Sequence, residues 1–254
     1  FTYTDALSMA DRFVFFRMMA NEIARKHGAF ASFMPKPFAD RTGSGAHYNM
    51  SLADLGTGKN LFVAAGDDTH QVGISALAYH FIAGVLKHAR AICAVIAPTV
   101  NSYKRLVRQG SMSGSTWAPV FCCYGSNNRT NMIRIPGAGG RVECRAADIS
   151  GNPYLGAAMI LAAGLEGIRE QLDPGKPHRE NMYNYSDAEI AARHIQFLPQ
   201  SLEEAIDAFE ADPLSREVFG ERLFQSFVAF KRAEWRSYHN TVSAWEIDRY
   251  LKMF

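Results

Sequence analysis

Four cysteines are few for a chain of 254 residues, and none of them sits in a CxxC or CxxH spacing. Cys122 and Cys123 are adjacent, and with Cys93 and Cys144 they suit neither a disulfide framework nor a zinc site, so a reducing, cytoplasmic location is expected. Long apolar runs are also missing. No stretch reaches the roughly 18 residues of a membrane span and no signal-like segment opens the sequence, which predicts a soluble protein with no membrane partner. Net charge is only +2 with histidine neutral, too little for the whole chain to be read as a nucleic-acid or membrane binder. There is no P-loop, and no GxGxxG opens a helix after a strand, so any nucleotide must be held by another device. Internal repeats and low-complexity tracts are absent. The first residue is Phe1 and the first methionine Met9, from which the natural start is expected to lie upstream.

What is present describes an ordinary folded chain. Hydrophobic residues make up 48% and charged residues 20%, which excludes disorder, collagen and coiled coil, and the length permits one large domain or two small ones. Apolar residues Leu7, Phe13, Phe16, Met19 and Ile23 recur at helical spacing over residues 4–27, with Asp5 or Thr4 as the cap and Gly28 as the stop. Residues 30–34 read as a short buried strand stopped by Pro35 and Pro37. After Gly43-Ser44-Gly45, alternation over residues 47–52 places His47, Asn49 and Ser51 on one strand face.

Residues 75–88 read as another helix, and Pro98 closes the apolar run that follows. Cys122, Ile133 and Val142 fall in short segments rich in strand formers, read as two or three neighbouring antiparallel strands. Residues 153–167 form an Ala/Leu-rich helix with small residues all round, of the kind that packs on a sheet, and residues 174–186 a polar loop. The tail from residue 201 is largely helical, opened by Ser201-Leu-Glu-Glu, close to a capping box. The expected fold is α+β: an antiparallel sheet carrying the site, with helices over its outer side and the C-terminal helices wrapped around.

Charge is unevenly spread. Residues 101–147 carry seven Lys/Arg against a single carboxylate, Glu143, while the remainder is net acidic. Arg105, Arg129, Arg134, Arg141 and Arg145 would repel one another unless an anion sits among them, and guanidinium groups take carboxylate and phosphate oxygens in bidentate fashion. In Arg141-Val-Glu143-Cys-Arg145 alternation puts all three charged residues on one side of a strand, where a carboxylate between two cations is placed to hold a divalent metal beside a nucleotide. The blander reading of that pentapeptide is a surface strand laced with salt bridges. His47 taken alone reads more readily as a hydrogen-bonded core histidine than as a ligand.

Read together, Phe33-Met-Pro-Lys-Pro37, Gly43-Ser-Gly-Ala-His47-Tyr-Asn-Met-Ser-Leu52, Asn101-Ser-Tyr-Lys-Arg-Leu106, Ala118-Pro119, Asn128-Arg129, Ile133-Arg-Ile-Pro136, Arg141-Val-Glu-Cys-Arg145 and Asn152-Pro-Tyr-Leu155 resemble the glutamine synthetase catalytic domain in order and approximate spacing. The closing Trp245-Glu-Ile-Asp-Arg-Tyr-Leu251 is similar to that family's C-terminus, so the resemblance covers essentially the whole chain. It implies residues 1–254 as the C-terminal catalytic domain of an ATP-dependent ligase, with a sheet forming an active-site half-barrel. It also implies an N-terminal β domain and further metal carboxylates upstream, and a stacked-ring homo-oligomer, a dodecamer by resemblance. The reaction implied is attack of glutamate's γ-carboxylate on ATP, then displacement of phosphate from γ-glutamyl phosphate by ammonia or a small amine, with Mg²⁺ or Mn²⁺.

By the same resemblance His47 and Glu143 are ligands of one metal, Asn49, Ser51 and Arg141 line the nucleotide, and Arg134 reaches its phosphates. Arg129 and Arg145 contact the transferred phosphoryl group, Arg105 holds a glutamate carboxylate, and the backbone at Gly43 meets the amino group. An isolated chain with these boundaries is expected to show negligible activity, restored by upstream sequence.

Two departures bear on specificity. Where family members carry a Glu before Ala-Pro, this chain has Trp117, in an altered loop (residues 108–117) without an acid. An indole adds apolar and cation–π surface suited to a methylated ammonium, and one methylene commonly discriminates about 10–200-fold, so the pattern is similar to the type III branch that includes γ-glutamylmethylamide synthetases. The alternative is that Trp117 merely packs the loop and ammonia remains the substrate. The second departure is Thr42, in place of an asparagine usual in the glutamate loop, and Tyr183 falls where some bacterial relatives are adenylylated, although an exposed loop tyrosine is the simpler reading. Two other classes stand beside the enzyme: a non-catalytic scaffold of the same fold, and a phosphate-binding nucleic-acid module, which would need more aromatic stacking residues among the cations than Tyr103, Trp117, Phe121 and Tyr124.

Overall fold

Asp5 accepts a hydrogen bond from the Ser8 amide at 2.9 Å and so caps the first helix, α1 (Ala6–Lys26), which ends before Gly28 at φ 67°. The structure is a computed structural model and describes residues 1–108 and 118–254. After α1 come β1 (Tyr48–Met50), α2 (Ala76–Lys87), α3 (Ala89–Ile96), β2 (Phe121–Ser126), β3 (Asn131–Ile135), β4 (Val142–Cys144) and α4 (Pro153–Arg169). Then follow α5 (Asp187–Ala192), α6 (Leu202–Ala211), α7 (Pro213–His239) and α8 (Ala244–Tyr250), with short 3₁₀ turns at Ser102–Lys104 and Met182–Asn184. The α+β expectation is met.

Most helices start at a capping residue. Ser75, Asn152, Ser186, Ser201, Asp212 and Ser243 each accept a hydrogen bond from a first-turn amide, satisfying donors that have no partner within the helix. The strand expected at residues 30–34 does not form. Phe30 is 87% exposed and the segment is irregular, with no strand beside it to pair with among the described residues.

The sheet has the order β1-β4-β3-β2. β4 pairs antiparallel with both β1 and β3, as expected, whereas β2 and β3 run parallel, so the sheet is mixed rather than antiparallel throughout. The turn between them explains the difference. Asn127 adopts φ 50° and its amide donates to the Ile135 carbonyl at 2.8 Å, so residues 127–130 carry the chain back to restart beside β2 in the same direction. Asn128 holds that return by donating to the carbonyls of His178 at 2.9 Å and Glu180 at 2.6 Å.

One apolar core joins the helices to the sheet. Ile82, Ile92, Ile96 and Met159 from α2, α3 and α4 meet Ile133, Val142 and Cys144 from the sheet, and Phe209, Phe219 and Phe224 extend the cluster into α6 and α7. Helix α4 packs chiefly on α2 rather than on the sheet. Its glycines allow this, since a Cβ on Gly164 would lie 2.1 Å from the Phe81 ring. Among the described residues no single helix is long and apolar enough to cross a membrane. The bent pair α2–α3 passes that test together, yet it is bent by 76° at the break and most of its residues are buried in the core.

Candidate active site

Strand register brings the charged residues together. Asn49 on β1 is opposite Glu143 on β4, and Glu143 is opposite Arg134 on β3, so the three stand in a row across the sheet. Glu143 is 5% exposed and is the hub. Its Oε1 lies 2.8 Å from His47 Nδ1 and accepts from Arg145 Nη1 at 2.9 Å, while Oε2 accepts from Arg134 Nη1 at 2.6 Å. Burial alone would raise its pKa, but the hydrogen bonds of His47 and Arg134 and the charge of Arg145 outweigh that and hold the carboxyl at about 2. One carboxylate therefore faces two guanidinium groups and an imidazole.

Arg105 follows the 3₁₀ turn at Ser102–Lys104 and is almost fully buried. Its Nη1 and Nη2 donate to the carbonyls of Ala146 at 2.9 Å and Arg145 at 3.0 Å, on the chain leaving β4. The glycine loop lies directly on it: a Cβ on Gly45 would stand 2.7 Å from Arg105 Nη2 and 3.0 Å from His47 Nε2, and a Cβ on Gly43 would stand 2.7 Å from the Pro35 carbonyl and 3.2 Å from Arg105 Cγ. The preceding segment is clamped by Asn101, whose amide side chain accepts from the Lys36 N–H at 2.7 Å and donates to the Lys36 carbonyl at 3.0 Å. Burial lowers the pKa of both Arg105 and Arg145 without discharging them.

The other expected residues surround this cluster. Ser51 is half-buried just past β1, and Arg129 is exposed on the 127–130 return, near enough for its charge to act on Arg145. Arg141 is exposed and forms no hydrogen bond or ion pair among the described residues. Trp117 lies outside the described residues. Tyr183 is half-buried rather than exposed, and its hydroxyl donates to the Ala118 carbonyl. Sequence reasoning missed Asn127, whose Oδ1 accepts from Arg134 Nη2 at 2.6 Å and Nε at 3.2 Å and aims that guanidinium at Glu143. The signal was there, because asparagine is the non-glycine residue that most readily takes φ > 0 in a turn.

An imidazole nitrogen and a carboxylate oxygen 2.8 Å apart are donors of the types that divalent cations take. Among the described residues no group of three or more His, Cys, Asp or Glu could hold a metal ion, so His47 and Glu143 offer two donors and not a complete shell.

Residues 1–250 match the family described as glutamine synthetase, catalytic domain. The chain belongs to the glutamine synthetase family. A glutamate–methylamine ligase of Methyloversatilis universalis is 48% identical over 254 residues, all of this chain and 56% of that protein. A glutamine synthetase of Halobacterium salinarum is 42% identical over 257 residues, all of this chain and 54% of that protein. A solved structure of a GmaS/ADP complex superposes with a TM-score of 0.88 at 44% identity, covering 99% of this chain and 56% of the other. An apo GmaS structure gives 0.85 at 42% identity, covering 99% and 55%. This member of the glutamine synthetase family thus spans about half the length of the relatives it matches.

Proposed function

We propose that the Glu143 cluster belongs to an ATP-dependent ligase that joins ammonia or a small primary amine, with methylamine as the leading candidate, to the γ-carboxylate of glutamate. The observation that carries the reading is the charge imbalance around one buried carboxylate: Arg134, Arg145 and His47 share Glu143, Arg105 lies behind them, and Arg129 and Arg141 add positive charge at the rim. Such an excess calls for anions, and a polyphosphate with a bound amino acid supplies them. The ADP of the related GmaS complex supports the nucleotide, and the glutamate–methylamine ligase relative supports the amine.

In this reading His47 and Glu143 hold one divalent cation, Mg²⁺ or Mn²⁺, which when bound supplies charge neutralisation between phosphate oxygens. Asn49, Ser51 and Arg141 line the nucleotide, and Arg134 binds its phosphates. Arg105 and the Gly43 backbone hold glutamate by its carboxylate and amino groups. A γ-carboxylate oxygen bonds to the terminal phosphorus as the bond from that phosphorus to ADP breaks. The amine nitrogen then bonds to the acyl carbon, phosphate leaves, and the nitrogen loses a proton. Arg129 and Arg145 stabilise the transferred group through both steps, where extra negative charge develops. A ring-shaped homo-oligomer, as the family resemblance implies, is proposed with it.

The test is product analysis with the protein at its full natural length, ATP, Mg²⁺ or Mn²⁺, glutamate, and ammonia, methylamine or ethylamine in parallel. Amine-dependent phosphate release with a γ-glutamyl amide product is expected, with methylamine preferred. Absence of any ATP-dependent amide, alongside absent ADP binding, rejects the ligase in favour of a non-catalytic scaffold.

A further inference from the structure

We infer that Asn60 and Gly73 form a clamp that positions Arg141, acting through the turn between β3 and β4; the inference rests on the nucleotide reading above. That turn, Pro136-Gly-Ala-Gly-Gly-Arg141, has no polar side chain before Arg141 with which to fix itself. Gly139 and Gly140 take φ of 66° and 64°, a region glycine enters freely and other residues rarely do. Within the turn one backbone hydrogen bond forms, from the Gly139 amide to the Pro136 carbonyl at 2.8 Å, and it reaches neither polar group of Gly140.

Two distant segments hold it instead. The Gly140 amide donates to the Gly73 carbonyl at 2.9 Å, and Asn60 Nδ2 donates to the Gly140 carbonyl at 2.7 Å, so both backbone polar groups of Gly140 are held from outside the turn. The fit is tight, because a Cβ on Gly139 would stand 2.3 Å from the Gly73 carbonyl oxygen. Each jaw is itself braced. Asn60 Oδ1 accepts from the Phe62 amide at 2.9 Å, and Asn60 pairs with Ala53 in an antiparallel bridge. The Gly73 amide donates to Asp68 Oδ2 at 2.7 Å, and Asp68 Oδ1 accepts from the Tyr79 hydroxyl at 2.5 Å.

The clamp ends one residue before Arg141, whose side chain is exposed and uncommitted among the described residues. A fixed backbone carrying an uncommitted guanidinium is a preorganised anion contact: little ordering is left for the moment of binding. Asn60 and Gly73 are thus positioning residues that act through Arg141.

The test is a double-mutant cycle on ADP binding, read by calorimetry with Mg²⁺ and the protein at its full natural length. Asn60→Ala is expected to weaken ADP roughly 3- to 10-fold, the scale of one lost hydrogen bond. In an Arg141→Ala background the same change is expected to cost less than about 2-fold, because the group it positions is gone. Asn60→Asp keeps the acceptor for Phe62 and loses the donor to Gly140, and is expected to match Asn60→Ala. Equal penalties in both backgrounds, or wild-type ADP affinity in Asn60→Asp, overturn the clamp while leaving the nucleotide site intact. No ADP binding by the unaltered protein overturns the nucleotide reading itself, and the clamp's role with it.

Discussion

His47 Nδ1 lies 2.8 Å from Glu143 Oε1, although the two residues come from opposite ends of the sheet-forming sequence. The antiparallel pairing of β1 with β4 puts them there, since Tyr48 is opposite Cys144 and Asn49 opposite Glu143. Arg134 and Arg145 bind the same carboxylate.

Glu143→Gln keeps the shape of that side chain and removes its charge, leaving Arg134 and Arg145 without a counter-ion. Turnover of the full-length protein is expected to fall by about 10²–10³, the usual scale for deleting one electrostatic group at a reacting centre. His47→Asn is expected to fall comparably, with the double variant little worse than either, as for residues acting as a unit. Amide formation measured for the three variants decides it: Glu143→Gln within tenfold of the unaltered protein is incompatible with a central role for the pair.

Gly43 and Gly45 differ in how a methyl group would be received. At Gly43 the obstacle is backbone, the Pro35 carbonyl at 2.7 Å, in a segment that Asn101 clamps at Lys36, so the loop itself must move. At Gly45 the obstacle is Arg105 Nη2, which is held by the Arg145 carbonyl. Gly43→Ala is expected to cost about 1–3 kcal/mol of stability and to raise the KM for glutamate at least tenfold. Gly45→Ala is expected to raise that KM while shifting the melting temperature less. Denaturant melts and glutamate saturation curves separate the two, and an unchanged KM in both variants contradicts the loop's proposed role.

The features legible in the sequence are those that local interactions decide. Asp5 and Ser201 announce their helices because a cap and its amides lie within three residues of one another. Alternation around His47, Asn49 and Ser51 is equally local. The parallel run of β2 beside β3 was not legible, because it rests on Asn128 and Asn131 donating to the carbonyl of His178, a residue far along the chain. Orientation of Arg134 by Asn127, and the burial of Arg105 against Ala146, likewise depend on the closed sheet. The five arginines could be read as a group from composition, and alternation set Arg145 beside Glu143; that Arg134, and not Arg141, is the second guanidinium on that carboxylate could not be read.

A second histidine predicts how stability varies with pH. His88, at the junction of α2 and α3, is nearly buried, with Nδ1 2.7 Å from Asp212 and Nε2 3.0 Å from Glu166, which also binds Lys87. Burial lowers its pKa, but the hydrogen bonds to Asp212 and Glu166 outweigh that and leave it above the ordinary 6.5. The folded state thus binds the proton more tightly than the unfolded one. This contribution is complete below about pH 6.5 and is lost as pH rises through the elevated value. Urea melts at pH 6 and pH 9 are expected to show the protein less stable at the higher pH, and His88→Gln to remove that part of the difference. An identical slope in the variant assigns the pH dependence to other groups.

Helices α2 and α4 meet backbone to backbone, and this contact sets how much substitution their junction tolerates. A Cβ on Gly84 would lie 2.0 Å from the Ala163 carbonyl oxygen and 2.7 Å from the Gly167 amide; one on Gly167 would lie 2.1 Å from the His80 carbonyl. These atoms belong to helix backbones, so neither side can yield by a rotamer change and the helices must separate. Separation opens gaps beside Phe81, Met159 and Ile160, which all belong to the buried core. Alanine is the better helix former by about 1 kcal/mol, which favours Gly84→Ala in an isolated helix. Lost packing is expected to reverse the sign and leave the variant about 2–4 kcal/mol less stable. The exposed Gly175→Ala, whose Cβ meets nothing within 4 Å, serves as the comparison, its cost arising only from φ 72°. Thermal melts that rank Gly84→Ala as no worse than Gly175→Ala rule out close approach of α2 and α4 as a determinant of stability.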